Sequence, residues 1–285
     1  MLQIFPALKL HVWGGLGSQL FAVALFYDLK LKFPNRRIVL ILHSSGVTKR
    51  YSEIEGLFPE LSCSWVDDFG VEKTTGQNGM FSKMLLNFFR QVLKRITRKL
   101  GLIASLNTNG EFENIRFWVL QIRGHYSHRT ISLDYLYTLS KRIGIVKPAI
   151  PPMGILGIHY RLGDLLSLQD KNPIDSKRLV QAIRKILNEG TISELALYSD
   201  SPAEALARVR EISIDIKVNT YTLNAIDTLN RSLTYEIFIG TNSKISLWIA
   251  YLRFFHSHLY SNILPKELES TFRNNHPKTN AIRTY

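Results

Sequence analysis

Four short stretches gather the residue types that could do chemistry, and each lies between an apolar run and a helical pattern. His159-Tyr160-Arg161-Leu162-Gly163-Asp164 closes the run that starts at Gly154. Arg161 offers a planar fork matched to a phosphate, and Gly163 permits a tight backbone turn. Asp164 can orient Arg161 or accept from the backbone amides that follow it. An ordinary strand-to-loop turn with an internal Arg–Asp pair would look the same. The second stretch, Trp13-Gly14-Gly15-Leu16-Gly17-Ser18-Gln19-Leu20-Phe21, has glycines that let backbone N–H groups approach an anion at a helix N-terminus. A dinucleotide fingerprint would need glycine at position 20, which is leucine, and no Walker lysine follows. Alone, that loop is equally a tight turn.

The third stretch is Leu197-Tyr198-Ser199-Asp200-Ser201-Pro202. Ser201 before Pro202 is a good helix start, while Asp200 can accept from a ribose or a nucleobase. The fourth, Gly240-Thr241-Asn242-Ser243-Lys244, sets four polar residues in a row before a helical pattern. Capping accounts for one or two of them, and the remainder with the lysine suggest anion contact.

The elements that position these stretches alternate along the chain. Strands are expected at 8–13, 37–42, 115–122, 154–159, 194–198 and 236–240, and helices at 18–33, 132–143, 176–188, 202–211 and 243–254. Such alternation predicts parallel sheets covered by helices, with ligands at the carboxyl ends of the strands. Three prolines in Val146-Lys147-Pro148-Ala149-Ile150-Pro151-Pro152 set the boundary. The expected division is 1–147, 148–264 and a loose polar tail over 265–285. The fold class is therefore α/β, with two Rossmann-like domains whose parallel sheets face a cleft.

Composition narrows the function. The 285 residues are 45% hydrophobic, as in an ordinary folded protein, and carry a net charge of +13. That excess suits a phosphorylated substrate, an anionic membrane or a nucleic acid. For the last, no RRM, zinc finger or helix-turn-helix pattern is visible, so no nucleic-acid partner is expected. One cysteine, Cys63, cannot form an internal disulfide; it does not exclude a zinc site, but no Cys/His pair has zinc-ligand spacing. The start, Met1 to Pro6, is read as carrying no signal peptide, and no apolar run is long enough to span a membrane. A cytoplasmic protein is expected. Within 81–100, Phe81, Leu85, Phe88, Val92, Ile96 and Leu100 recur at helical spacing among Lys83, Arg90, Lys94, Arg95, Arg98 and Lys99. This basic amphipathic pattern is either an ordinary helix with a solvated face or a peripheral contact with the inner face of a membrane.

In order and spacing, the four stretches resemble glycosyltransferase family 11, the α-1,2-fucosyltransferases, with a more distant likeness to protein O-fucosyltransferases. The family carries GGLGNQ-F, H-x-R-R-G-D, a strand ending in Ser-Asp and N-S-T-F-S-W-W-A. This chain has GGLGSQLF at 14–21, HYRLGD at 159–164, YSD at 198–200 and TNSKISLWIAYL at 241–252. Asp227 fits the family's acidic residue, and Gly124-His125-Tyr126-Ser127-His128 its G-Y-x-Q-like segment. Ser18, Leu162, Lys244 and Leu247 depart from the pattern. The resemblance implies a GT-B-like fold and an inverting, metal-independent transfer of fucose from GDP-fucose to a glycan hydroxyl, a galactoside 2-OH in surface polysaccharide synthesis, on an acceptor that can be lipid-linked. It implies Arg161 and Asp164 as catalytic. Donor contacts are implied at Gly15, Gly17, Ser18, Gln19, His159, Arg161, Gly163, Ser199, Asp200, Thr241, Asn242 and Ser243. The alternatives are another GDP-sugar donor or a protein acceptor.

Overall fold

In β1 (Leu8–Trp13), Leu8, Leu10 and Val12 alternate with Lys9, His11 and Trp13, and the first three are fully buried. The apolar helix α1 (Leu16–Lys32) follows and buries Leu16, Leu20, Val23 and Leu25. A computed structural model describes residues 6–45, 49, 51–68, 92, 95–97, 99–107, 111–144, 153–163, 176–190, 192–211, 216–256, 261–275 and 282–285. The proline-rich boundary at 146–152, Asp164 and most of 81–100 lie outside the described residues.

The chain divides into two compact units, Met1–Arg129 and Thr130–Tyr285. In the first, β1 pairs with β2 (Ile38–His43) on one side and β5 (Gln121–Gly124) on the other. With β3 (Cys63–Val66) and β4 (Ile103–Leu106) at the edges, the parallel order is β3-β2-β1-β5-β4. The expected strand over 115–122 is shorter than its apolar pattern. Ile115 and Val119 are buried from turns, and only Gln121 and Ile122 join the sheet. Burial was legible there, and pairing was not.

The second unit opens with α2 (Leu133–Ile143). Then come β6 (Ile155–His159), α3 (Ser176–Leu187), β7 (Glu194–Tyr198), α4 (Pro202–Arg210), β8 (Lys217–Tyr221) and α5 (Ala225–Ser232). It finishes with β9 (Ile237–Gly240), α6 (Lys244–His256), β10 (Ser261–Leu264), α7 (Lys266–Asn275) and β11 (Ile282–Thr284). The parallel order β11-β10-β9-β6-β7-β8 is that of a doubly wound sheet, and its order reverses between β6 and β9. The crevice beyond the carboxyl ends of those two strands is where such sheets hold ligands.

Two boundaries differ from the sequence reading. The first unit ends at Arg129 rather than near 147, because α2 packs in the second. Tyr135 meets Trp248 of α6 edge to face at 5.9 Å, and Ser140 lies 3.0 Å from His256. The described parts of the expected polar tail, 265–275 and 282–285, are also structured: Leu268 and Phe272 of α7 are buried, and β11 extends the sheet beside β10. A three-residue edge strand with one buried side chain, Ile282, leaves almost no pattern to read. Among the described residues, no helix is long and apolar enough to cross a membrane.

Arg253 of α6 pins the far ends of β9 and β10. It is fully buried and donates to Asn262 Oδ1 at 2.7 Å and to the carbonyls of Ser232, Tyr235, Glu236 and Ser261. Replacing it with methionine strands those acceptors in a closed interior. Arg253→Met is expected to lose roughly 3 kcal/mol or more, read as a lower denaturant midpoint with unchanged slope.

Candidate functional site

β6 and β9 end in register, His159 opposite Gly240, and the chain beyond each is tied to the other. Thr241 donates its hydroxyl to the His159 carbonyl at 3.0 Å and accepts from the Arg161 N–H at 3.1 Å. The His159 ring is buried, with Nδ1 2.8 Å from Ser246 Oγ on the first turn of α6. That same oxygen accepts from the Thr241 N–H at 3.1 Å. His159, read from the sequence as a donor contact, is thus engaged inward.

β7 contributes the other clamp. Asp200 accepts from the backbone N–H groups of Leu162 and Gly163, both at 2.9 Å, through one carboxylate oxygen. The other oxygen stands 4.0 Å from Arg161 Nε. The acidic neighbour of Arg161 among the described residues is therefore Asp200, supplied from a different strand; Asp164 lies outside them. Gly163 is required by proximity: a Cβ there would fall 2.2 Å from Asp200 Oδ2. Ser199 is buried and accepts from the Ser201 N–H at 3.1 Å, which shapes the start of α4. Ser243 likewise accepts from the Ile245 N–H at 3.2 Å as a cap for α6. Asn242, between buried Thr241 and Ser243, is exposed.

Charge collects at this junction. The Arg161 side chain is about one-third exposed. Lys244 opens α6, and burial followed by the neighbouring Arg161 charge lowers its pKa. A cation at a helix N-terminus opposes the helix dipole, and a second cation beside it adds repulsion. Both costs turn into gains when a multiply charged anion sits against them. Lys244 was legible in the sequence as a candidate anion contact, and the fold is what brings it near Arg161. Leu162, the other departure in that motif, is fully buried in the core with Ile158 and Leu197.

The glycine loop of the first unit is used differently. Gly14 has φ +98°, and Gly15 is the N-cap of α1 without a side-chain bond. The Leu16 N–H at that helix start already donates to Glu53 Oε2 at 2.7 Å. Gln19 is 2% exposed. It donates to the Tyr51 and Gly14 carbonyls at 2.7 and 3.2 Å and accepts from the Glu53 N–H at 2.9 Å. Gly17 is buried and Ser18 half-buried. The loop thus binds the chain's own 51–53 segment, and sequence reasoning missed Glu53 because nothing local links it to residue 16.

Two further motif residues have structural roles. Asp227 exchanges bonds with Asn224, the N-cap of α5, at 2.8 Å each way. The Tyr126 hydroxyl donates to the His11 carbonyl at 2.6 Å. Among the described residues, no three His, Cys, Asp or Glu side chains are grouped to hold a metal ion.

No family model matches the sequence, and no curated protein matches it. Solved structures do match. A protein assigned as a UDP-N-acetylglucosamine 2-epimerase from Listeria monocytogenes aligns with 98% of this chain and 84% of its own, at TM-score 0.50 and 9% identity. The E. coli heptosyltransferase WaaC with ADP covers 98% and 92%, at 0.49 and 9%. POFUT1 in complex with GDP covers 87% and 95%, at 0.34 and 12%. Such identities speak to fold alone: an α/β chain with two parallel sheets, GT-B-like.

Burial lowers the His159 pKa to about 4, with the nearby Arg161 charge helping and Asp200 opposing. The unfolded chain therefore binds a proton that the folded one refuses between about pH 4 and 6.5, and stability should fall as pH drops through that window. His159→Gln is expected to flatten part of that fall, measured as denaturation midpoints from pH 4 to 7. His11, with a similarly low value, supplies the rest.

Proposed function

We propose that this chain is a glycosyltransferase that binds a nucleoside-diphosphate sugar at the β6/β9 junction and transfers the sugar to a hydroxyl of a glycan. The observation that carries the reading is the convergence of Arg161, Lys244 and the start of α6 at the sheet's switch point. A pyrophosphate is the ligand whose charge suits that convergence. The order of the sequence motifs supports GDP-fucose as the donor and inversion at the anomeric carbon.

Transfer requires the bond between the anomeric carbon and the diphosphate oxygen to break, with the electron pair leaving on GDP. Negative charge grows on that oxygen in the transition state, and positive groups held there beforehand lower the barrier. In this reading Arg161 carries the largest share and Lys244 adds to it, so no divalent metal is needed. Thr241 and Asp200 hold the backbone of Arg161, Leu162 and Gly163 in place. Asn242 and the exposed face of Asp200 are the donor contacts nearest solvent. The acceptor is read as a glycan bound by the first unit, lipid-linked where the basic 81–100 segment meets an anionic membrane.

Calorimetry with GDP, GDP-fucose and GDP-mannose, each with and without EDTA, tests the class. Binding unaffected by EDTA is expected, with GDP-fucose preferred over GDP-mannose. Absence of GDP binding overturns the reading, and preference for another sugar changes only the donor. Arg161→Ala is expected to lower the turnover number by at least about 10²-fold, the scale for one charge-stabilising donor. Near-normal turnover of GDP-fucose in that variant would remove Arg161 from the mechanism.

A further inference from the structure

The first unit carries an apolar surface that its own fold leaves exposed. Arg116 to Val119 form a turn, closed by the Val119 N–H donating to the Arg116 carbonyl at 3.1 Å. The chain is anchored on either side of the turn's tip, because Ile115 and Val119 are buried. The buried guanidinium of Arg36 donates to the carbonyls of Phe117 and Val119 and so fixes the turn's backbone. Phe117 and Trp118 are the two central residues, and their rings meet edge to face at 5.1 Å.

A helix end meets that turn. The Leu100 N–H donates to the Ile96 carbonyl and the Leu102 N–H to the Thr97 carbonyl, each at 2.9 Å, around Gly101 at φ +66°. This is the closure of a helix that ends on a left-handed glycine. A Cβ on Gly101 would lie 3.3 Å from Trp118 Nε1, so the indole edge rests on that glycine. The N–H groups of Leu120 and Gln121 both donate to the Leu102 carbonyl, at 2.8 and 3.1 Å, which fastens the two segments together. Ile96, Leu100, Phe117 and Trp118 are thereby gathered at one place, each between 45% and 62% exposed. Single exposed apolar side chains need no account, but four together do. Each of Arg95, Lys99 and Arg116 adjoins one of the four in sequence, is exposed, and forms no ion pair among the described residues. The acids nearby in sequence face other partners: Glu111 accepts from the Asn107 N–H, and Glu113 pairs with Lys32 at 3.8 Å.

We propose that this surface seats the chain on an anionic lipid bilayer. Phe117 and Trp118 enter the headgroup layer, and Arg95, Lys99 and Arg116 meet the lipid phosphates. Charge complementarity chooses the occupant: the rim of the patch is basic, and the whole chain carries +13, so a negative surface attracts it. Tryptophan suits the membrane–water boundary, since its ring is apolar and its N–H can bond a headgroup. A turn held by Arg36 presents both rings with little left to order on contact. A stable protein interface takes roughly 20 to 30 residues a side, far more than this patch offers. Peripheral attachment needs two signals, apolar insertion and basic charge, and both are here. The basic 81–100 pattern adds charge, and the 116–119 turn adds the insertion that charge alone does not give. The surface belongs to the first unit by itself and does not depend on the glycosyltransferase reading.

Sedimentation of the full chain with phosphatidylcholine vesicles, with and without phosphatidylglycerol, tests the surface. Wild type is expected to bind the anionic vesicles, to leave the neutral ones, and to detach as salt rises. Phe117→Gln combined with Trp118→Gln is expected to weaken anionic binding at least about 10-fold, because the inserted apolar area is lost. Arg95→Gln, Lys99→Gln and Arg116→Gln are expected to weaken it roughly fivefold apiece. Brominated lipid in the anionic vesicles is expected to quench part of the wild-type tryptophan fluorescence. Trp118→Phe, which keeps a ring against Gly101, should lose that part, and this readout holds even where the double variant fails to fold. Equal binding to neutral vesicles, wild-type binding by the folded double variant, or unchanged quenching in Trp118→Phe overturns the surface. So does a wild type that ignores anionic vesicles, the result expected of an acidic protein as occupant. Calorimetric GDP binding keeps the two readings apart. Vesicle binding without GDP binding retains the surface and removes the glycosyltransferase, and GDP binding without vesicle binding does the reverse.

Discussion

The Thr241 hydroxyl is the fastening on which the second unit's site depends. It donates to the carbonyl that ends β6 and accepts from the N–H two residues on, so the chain leaving β6 is held to the chain leaving β9. Ser246 repeats the device within the first turn of α6, meeting both the His159 ring and the Thr241 amide. Asp200 adds the third attachment, from β7. Three strands thus converge on the six-residue stretch that carries Arg161. Backbone groups at strand ends would otherwise be satisfied by water, and each bond to a side chain replaces a mobile partner with a fixed one.

With the loop fixed, its electrostatics follow. Arg161 and Lys244 repel each other, and Lys244 also faces the positive end of a helix. The fold tolerates this because packing, not charge, holds α6: residues Ile245 to Arg253 are all buried. Arg253 at the opposite end satisfies five acceptors with one guanidinium and stiffens the frame. A preorganised cationic site of this kind needs little rearrangement when an anion arrives, which is the condition under which such groups stabilise developing charge most.

The two strand-to-helix loops look alike as strings of glycine and small polar residues, yet the molecule uses them differently. At the start of α1, Glu53 supplies a carboxylate from within the chain, and Gln19 holds the segment that carries it. At the start of α6, a lysine stands where a carboxylate would be expected. The first loop is closed by its own protein, and the second gathers positive charge.

The sequence by itself determined strands β1, β2, β6, β7 and β9 and helices α1 to α4 and α6, because branched apolar runs and helical spacing are local properties. It also located the turns that carry Arg161, Asp200 and Thr241, since small and polar residues mark strand ends wherever they occur. Tertiary structure decided the rest. That Asp200 flanks Arg161, that Lys244 shares its field, that Glu53 caps α1 and that His11, His43 and Asp68 form one chain are all pairings across 25 to 83 residues of sequence. Edge strand β11 and the packing of α2 were hidden for the same reason. A side chain's type is written in the sequence, but its partner is chosen by the sheet order that brings distant strand ends side by side.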